Sequence, residues 1–325
     1  MIFQNVELHN VEALVPERGG YLLQRVPQVV CEKLGERFLG LSQNACGCEI
    51  RFKIKGDAAT VILSANEYEE ANVAFVYFGS IQGGWWQSTK VIHPHETRIT
   101  IKKLDNLDRL KTITAERGLA FNPEVVRIVL PYGKVRFHGV EGDVEPPSVE
   151  DLPTKTYLAY GSSITHGSLA LGTPYTYPFR VAQCLGCDSI NFGFAGGAMM
   201  QAEMARYIIS RKDWDFASVE MGINMIWADD DLFESSVKEF VDILATDPRP
   251  IFATSIYGVS DSSMNEKIAR FREIVKRRTE GKLTYICGSE FLNEPKFISQ
   301  DLVHPALDGM MSISQKWCDV LKNQV

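Results

Sequence analysis

Two spacings of hydrophobic residues divide the chain. Glu49-Ile50-Arg51-Phe52-Lys53-Ile54-Lys55 alternates charged and apolar positions, the pattern of a half-buried strand. Short runs that also read as strands stand at 60–63, 73–78, 97–101, 125–130 and 135–137. Turn residues such as Gly56-Asp57 and Gly83-Gly84 separate several of them. Many short strands with turns between them predict an antiparallel β-sandwich or jelly roll up to about residue 142. Residues 106–117 fit a helix or a long loop equally well.

The period changes after an acidic, Pro-rich stretch, Glu145-Pro146-Pro147-Ser148-Val149-Glu150-Asp151-Leu152-Pro153, whose composition predicts an exposed, extended linker. Apolar strands are expected at 156–160, 189–194, 217–221, 250–255 and 283–287, and helices at 175–185, 202–210, 232–244, 265–278 and 309–321. Strands alternating with helices predict an α/β domain with a parallel sheet covered on both faces. The expected division is a sandwich domain over 1–144, a linker over 145–153 and an α/β domain over 154–325. The linker is short, so the sandwich is expected to sit close to the α/β domain and to wall its cleft.

Composition narrows the function classes. With 45% hydrophobic and 23% charged residues the chain is globular, and 325 residues suit two cores better than one. A net charge of −7 without a dense Lys/Arg run argues against nucleic acid as a main partner. No apolar run is long enough to span a bilayer. Residues 1–10 lack a basic start followed by an apolar core, which together with reduced cysteines gives the expectation of a cytoplasmic protein. The seven cysteines include the close pairs Cys46/Cys48 and Cys184/Cys187. Two such pairs can in principle hold zinc, but their flanking residues suit packing, so no metal is expected.

In an α/β sheet, ligands bind beyond the carboxyl ends of the strands. The first such strand ends in Gly161-Ser162-Ser163-Ile164-Thr165-His166-Gly167, a serine in a glycine-flanked turn. Serine needs a base within hydrogen-bond reach to act as a nucleophile. Of the six histidines only His166 and His304 lie in this half, and His166 is too near along the turn to face Ser163. His304 closes Asp301-Leu302-Val303-His304. Asp301 is placed to fix the histidine's tautomer, a role a backbone carbonyl can also fill.

The order of these segments resembles that of the SGNH/GDSL hydrolases over residues 156–325. Gly161 to Gly167 is similar to the nucleophile block. Asn191-Phe192-Gly193-Phe194-Ala195-Gly196-Gly197 is similar to the second block, Gly222-Ile223-Asn224 to the third and Asp301 to His304 to the last. The resemblance implies a three-layer, flavodoxin-like sheet and an oxyanion hole made by the N–H of Ser163, the N–H of Gly196 and the Asn224 side chain. Gly197 stands beside Gly196 as an alternative donor. Two positions depart from the pattern: Ser162 replaces the usual Asp before the nucleophile, and Met225 replaces an Asp that often follows the asparagine. The first departure bears on how the nucleophile turn is tied down.

Such a set of residues implies acyl transfer through a covalent Ser163 ester, with His304 as base and then acid, and needs no cofactor. A sandwich joined to an SGNH domain resembles bacterial carbohydrate esterases, so the expected substrate is a short acyl ester, foremost an acetyl ester, on a sugar. An acyltransferase or thioesterase using the same residues is the alternative. A sugar-binding protein with an inactive hydrolase half is another. At least one of Met225, Ile226 and Trp227 is expected to line the acyl pocket, and His166 to be a candidate substrate contact. The Trp85-Trp86 pair suits sugar stacking, although alternation would turn one ring inward. Asp229-Asp230-Asp231 is explained by the helix that follows it.

Overall fold

The computed structural model describes residues 1–66, 72–259 and 262–325. Its first half is built from two antiparallel sheets. One runs in the order Ile2–Phe3, Val6–His9, Glu49–Ile54, Val125–Val129, Val73–Phe78, Ile81–Gln82, with Val144–Glu145 and Thr89–Val91 paired at its sides. The other runs Thr97–Lys102, Ala58–Ala65, Val135–Glu141, Gly20–Gln24, Ala13–Glu17. Val6, Leu8, Ile50, Phe52, Val76 and Ile128 of the first sheet meet Leu23, Val61, Leu63, Ile99 and Phe137 of the second in one core. The undecided stretch is a helix over Leu107–Arg117. Gln28–Leu34 and Glu36–Ser42 are also helices, in a part of the chain where strands were expected.

The second half follows its predicted alternation closely. Strands β1 (Thr156–Gly161), β2 (Asp188–Gly193), β3 (Phe216–Glu220), β4 (Ile251–Thr254) and β5 (Thr284–Ile286) form a parallel sheet in the order β2-β1-β3-β4-β5. The helices are α1 (Ser163–His166), α2 (Tyr177–Leu185), α3 (Ala202–Ser210), α4 (Asp230–Leu244), α5 (Asn265–Thr279) and α6 (Leu307–Leu321). Leu158, Tyr160, Phe192 and Val219 pack with α3, α4 and α5 on one face, and Tyr157, Ala159 and Phe252 with α2 and α6 on the other. The strand order reverses at β1, between β2 and β3, and such a reversal opens a crevice beyond the strand ends. Asp229 caps α4 by accepting from the Leu232 N–H, which accounts for the acidic triplet.

The two halves meet through charge. The polar positions of the Glu49–Ile54 alternation face the second half and not solvent: Arg51 is 0% and Glu49 2% exposed. The Arg51 fork binds both Asp188 oxygens at 2.6 and 2.7 Å, and its Nε donates to Glu49, 2.7 Å away. Arg127 takes the same Glu49 carboxylate through Nε and Nη2. Burial pushes the Glu49 carboxyl up, but Arg127 and Arg51 outweigh it and hold the group at about 2. Asp188 is held low in the same way, burial being overcome by Arg51 and His9.

The stretch expected to be a free linker is instead fastened. Glu145 pairs with Lys53 in a strand, and Asp151 is buried, capping a short turn at Ser148 and accepting from Lys53 and Asn122. Trp85 and Trp86 are both exposed, at 87% and 82%, because they occupy a turn where strand alternation does not apply. Among the described residues, no helix is long and apolar enough to cross a membrane.

Asp188→Asn leaves the buried Arg51 and Arg127 to share the Glu49 carboxylate and is expected to cost about 3–5 kcal/mol in urea unfolding. Both carboxyls titrate lower folded than unfolded, so their stabilisation is complete above the ordinary carboxylate range. It is lost as pH falls from ~4 toward about 2. Unfolding curves at stepped pH are expected to show a shallower acid slope in Asp188→Asn than in the wild type.

Candidate active site

Gly161 ends β1 where no side chain fits: a Cβ there would lie 2.1 Å from Thr165 Oγ1 and 2.6 Å from Glu220 Oε2. Ser162 caps α1 by accepting from the Ile164 N–H, and Ser163 is the first residue of that one-turn helix. Gly167 closes the turn at φ +108°. Ser163 Oγ lies 2.8 Å from His304 Nε2, and His304 Nδ1 lies 2.7 Å from Asp301 Oδ2. With Nδ1 donating to the carboxylate, Nε2 is left to accept the serine proton.

The histidine loop is shaped by its own carboxylate. Asp301 Oδ1 accepts from the Val303 and His304 N–H groups and the Ser299 hydroxyl, leaving Oδ2 for the ring. Burial raises the Asp301 carboxyl, but the donors of His304 and Val303 outweigh it and hold the group well below the usual range. Leu302 between them is left-handed at φ +67°, an uncommon conformation for a residue with a side chain. The Ser299 N–H donates to the His304 carbonyl, 2.8 Å away, and closes the loop.

Gly196 lies on the loop after β2, and Asn224, on the loop after β3, reaches that loop at Gly197 and Ala198. Gly197 N–H donates to Phe194 O at 2.9 Å. Among the described residues, the N–H groups of Ser163 and Gly196 donate to no protein acceptor. Gly196 takes φ +71°, and a Cβ on it would meet Arg37 Nη2 at 2.6 Å. The Asn224 amide satisfies its neighbours when its oxygen accepts from Ala198 N–H and Gly197 N–H, at 3.1 and 3.3 Å. Its NH₂ is then turned away from those two donors.

The remaining predicted residues divide. Met225 is 4% exposed and belongs to the core behind the sheet, and Ile226 packs against that core. Met225 lacks the free surface a pocket wall needs, whereas Ile226 is half-buried and keeps some. Trp227 is 63% exposed, with its indole N–H on Asn224 O. His166 is fully buried and stacked on Tyr132 at 3.9 Å, so it touches no substrate; burial, aided by Arg25, pushes its ring well below the usual histidine range.

Two buried charged residues beside the site escaped the sequence patterns. Glu220 ends β3, and its Oε2 accepts from the Ser162 N–H at 2.7 Å and the Thr165 hydroxyl at 3.2 Å. An acid closing an otherwise apolar strand was the available signal. Arg25 is buried against the end of β2, and no periodicity marks it.

No protein-family model and no curated protein sequence matches the chain. Its fold does match solved structures. A salicylyl-acyltransferase, SsfX3, from a tetracycline biosynthetic pathway superposes with a TM-score of 0.72 at 17% identity, covering 96% of this chain and 92% of its own. A GDSL-like lipase from Bacteroides ovatus gives a TM-score of 0.71 at 17% identity, covering 98% and 97%. The acetyl xylan esterase Est2A of Butyrivibrio proteoclasticus gives 0.60 at 11% identity, covering 100% and 96%. Over nearly its whole length the chain therefore shares the fold of these structures.

Glu220→Ala leaves the Ser162 N–H buried without an acceptor and is expected to cost about 1–3 kcal/mol of stability. Glu220→Gln keeps an acceptor there and should lose less. Paired urea denaturations of the two variants measure the difference.

Proposed function

We propose that the protein is a serine esterase that removes short acyl groups, foremost acetyl, from carbohydrate hydroxyls. The observation that carries this reading is the unbroken hydrogen-bonded row Ser163–His304–Asp301 at the switch point of the sheet. His304 takes the Ser163 proton as Oγ attacks the ester carbonyl, and the imidazolium formed is stabilised by Asp301. The carbonyl oxygen, now negative, is received by the unengaged N–H groups of Ser163 and Gly196 and by the Asn224 NH₂. His304 returns the proton to the departing alcohol. Water then repeats the sequence on the acyl-enzyme and releases the acid. None of these steps calls for a metal or organic cofactor.

The carbohydrate assignment leans on the esterases of like fold, among them an acetyl xylan esterase. Acyl transfer to another alcohol is the second reading, favoured by the likeness to a salicylyl-acyltransferase, whose TM-score of 0.72 exceeds the 0.60 of the acetyl xylan esterase. In either case the two antiparallel sheets form a jelly-roll-like sandwich over 1–144 that works as one unit with residues 154–325. Seven free cysteines suit a reducing compartment, the cytoplasm.

An organophosphonate probe is expected to label Ser163, and Ser163→Ala to abolish both labelling and turnover of a chromogenic acetyl ester. Labelling at Ser162 with activity kept in Ser163→Ala would overturn the assignment. Asn224→Ala is expected to lower kcat by about 10²–10³-fold, the usual loss for one oxyanion donor. An effect confined to KM would make it a ground-state contact.

A further inference from the structure

β2 is the outer strand of the parallel sheet, so alternate carbonyls along it point away from β1 with no strand to receive them. The first half of the chain supplies their donors. His9 Nε2 reaches Ser189 O at 2.7 Å, Asn10 Nδ2 reaches Asn191 O at 3.2 Å, and Arg25 takes Asn191 O and Gly193 O. Arg25 stands out among them. Its Nη1 lies 2.9 Å from Asn191 O and 3.1 Å from Gly193 O, and its Nη2 lies 3.1 Å from both Gly193 O and Leu41 O. The guanidinium also lies 4.8 Å from the centre of the Phe194 ring.

This cation is 0% exposed, and among the described residues no carboxylate pairs with it. Burying an unpaired charge is costly, and carbonyl dipoles and an aromatic face offset only part of that cost. A simple structural bolt would be cheaper as an apolar contact. What the fork does that an apolar group cannot is hold two segments in one plane. Those segments are the last carbonyls of β2 and the end of the Glu36–Ser42 helix. Immediately beyond Gly193 the chain becomes the Phe194–Gly197 loop. That loop is covered by the same helix, since a Cβ on Gly197 would meet Leu41 Cδ1 at 2.4 Å.

We propose that Arg25 is a positioning residue of the active site: it fixes the loop whose Gly196 N–H receives the oxyanion, so that the first half of the chain assembles the hole built by the second. The inference rests on the esterase reading above. It assigns to a residue 138 positions before the nucleophile a part in stabilising the transition state without touching the substrate. Lysine cannot replace it, because one ammonium does not reach three carbonyls in a fixed fork.

The test uses the full-length protein and the variants Arg25→Lys and Arg25→Met, with Asp188→Asn as the control. Asp188→Asn breaks another buried contact between the halves, on the first residue of β2 and remote from the glycine loop. Each protein is assayed for kcat and KM on a chromogenic acetyl ester, for inhibition by phenylboronic acid and for folded fraction. Boronic acids add the serine oxygen and place a negative oxygen in the hole, so their affinity reports transition-state stabilisation. Expected for both Arg25 variants is a 10–100-fold fall in kcat per folded molecule with KM within about threefold. Phenylboronate affinity is expected to fall by the same factor as kcat/KM. Asp188→Asn should lose stability but keep kcat per folded molecule. The proposal is overturned if Arg25→Lys retains kcat, or if the loss merely tracks the folded fraction as in the control. It is also overturned if boronate affinity stays at the wild-type value. A wild type that neither turns over esters nor is labelled at Ser163 would overturn the esterase reading, and this inference with it.

Discussion

The free edge of β2 is the constraint on which the rest of the structure depends. A parallel sheet leaves its outer strand with backbone groups that must find donors or water. In this chain they are met by side chains from a different part of the sequence, His9, Asn10 and Arg25, while Arg51 grips Asp188 at the strand's first residue. The first half is therefore not a module carried alongside. It completes the hydrogen bonding of the sheet that carries the nucleophile. The polar face of its own sheet, with Arg51, Glu49 and Arg127, is buried for the same reason.

The consequence runs along β2 to the site. Asn191 on that strand donates to Thr165 O in the nucleophile turn and accepts from the Gly193 N–H. A Cβ on Gly193 would fall 2.0 Å from the His166 N, so β2 and α1 touch backbone to backbone. The Ser163 turn and the end of β2 that leads into the glycine loop are thus in direct contact. Whatever holds the last carbonyls of β2, next to the glycine loop, therefore bears on the geometry between Ser163 and Gly196. Rigid positioning of this kind matters because misplacement by an ångström costs orders of magnitude in rate.

Much of this was legible in the sequence, and the rest was hidden for identifiable reasons. The parallel sheet was readable because its strands are buried on both faces and read as apolar runs between amphipathic helices. The pairing of Ser163 with His304 was readable because a serine in a strand-end turn needs a histidine within reach, and few histidines offered one. The helices over Gln28–Leu34 and Glu36–Ser42 were not, since their short runs are stabilised by packing on each other and on the core of the second half and not by a period of their own. The alternation at Glu49–Ile54 gave the strand correctly but the wrong surroundings for its charges. Periodicity reports which residues share a face. It does not report whether that face meets water or Asp188.

Ser162 shows how a departure from a family motif can be absorbed elsewhere. Where the motif that this segment resembles has an acid, this chain has Ser162, whose hydroxyl caps α1. A carboxylate still reaches the nucleophile turn, but from β3: Glu220 Oε2 binds the Ser162 N–H and the Thr165 hydroxyl, and Thr165 in turn meets the Tyr177 hydroxyl at 2.8 Å. Burial raises the Glu220 carboxyl above its ordinary value, and its second oxygen has no hydrogen-bond partner among the described residues. Such a group opposes folding unless something depends on it. The arrangement ties the turn from the strand across the switch point, so β1 and β3 grip the nucleophile together while β2 carries the glycine loop. A motif position read in isolation would count Ser162 as a loss. The geometry places a carboxylate on the neighbouring strand, against the same turn.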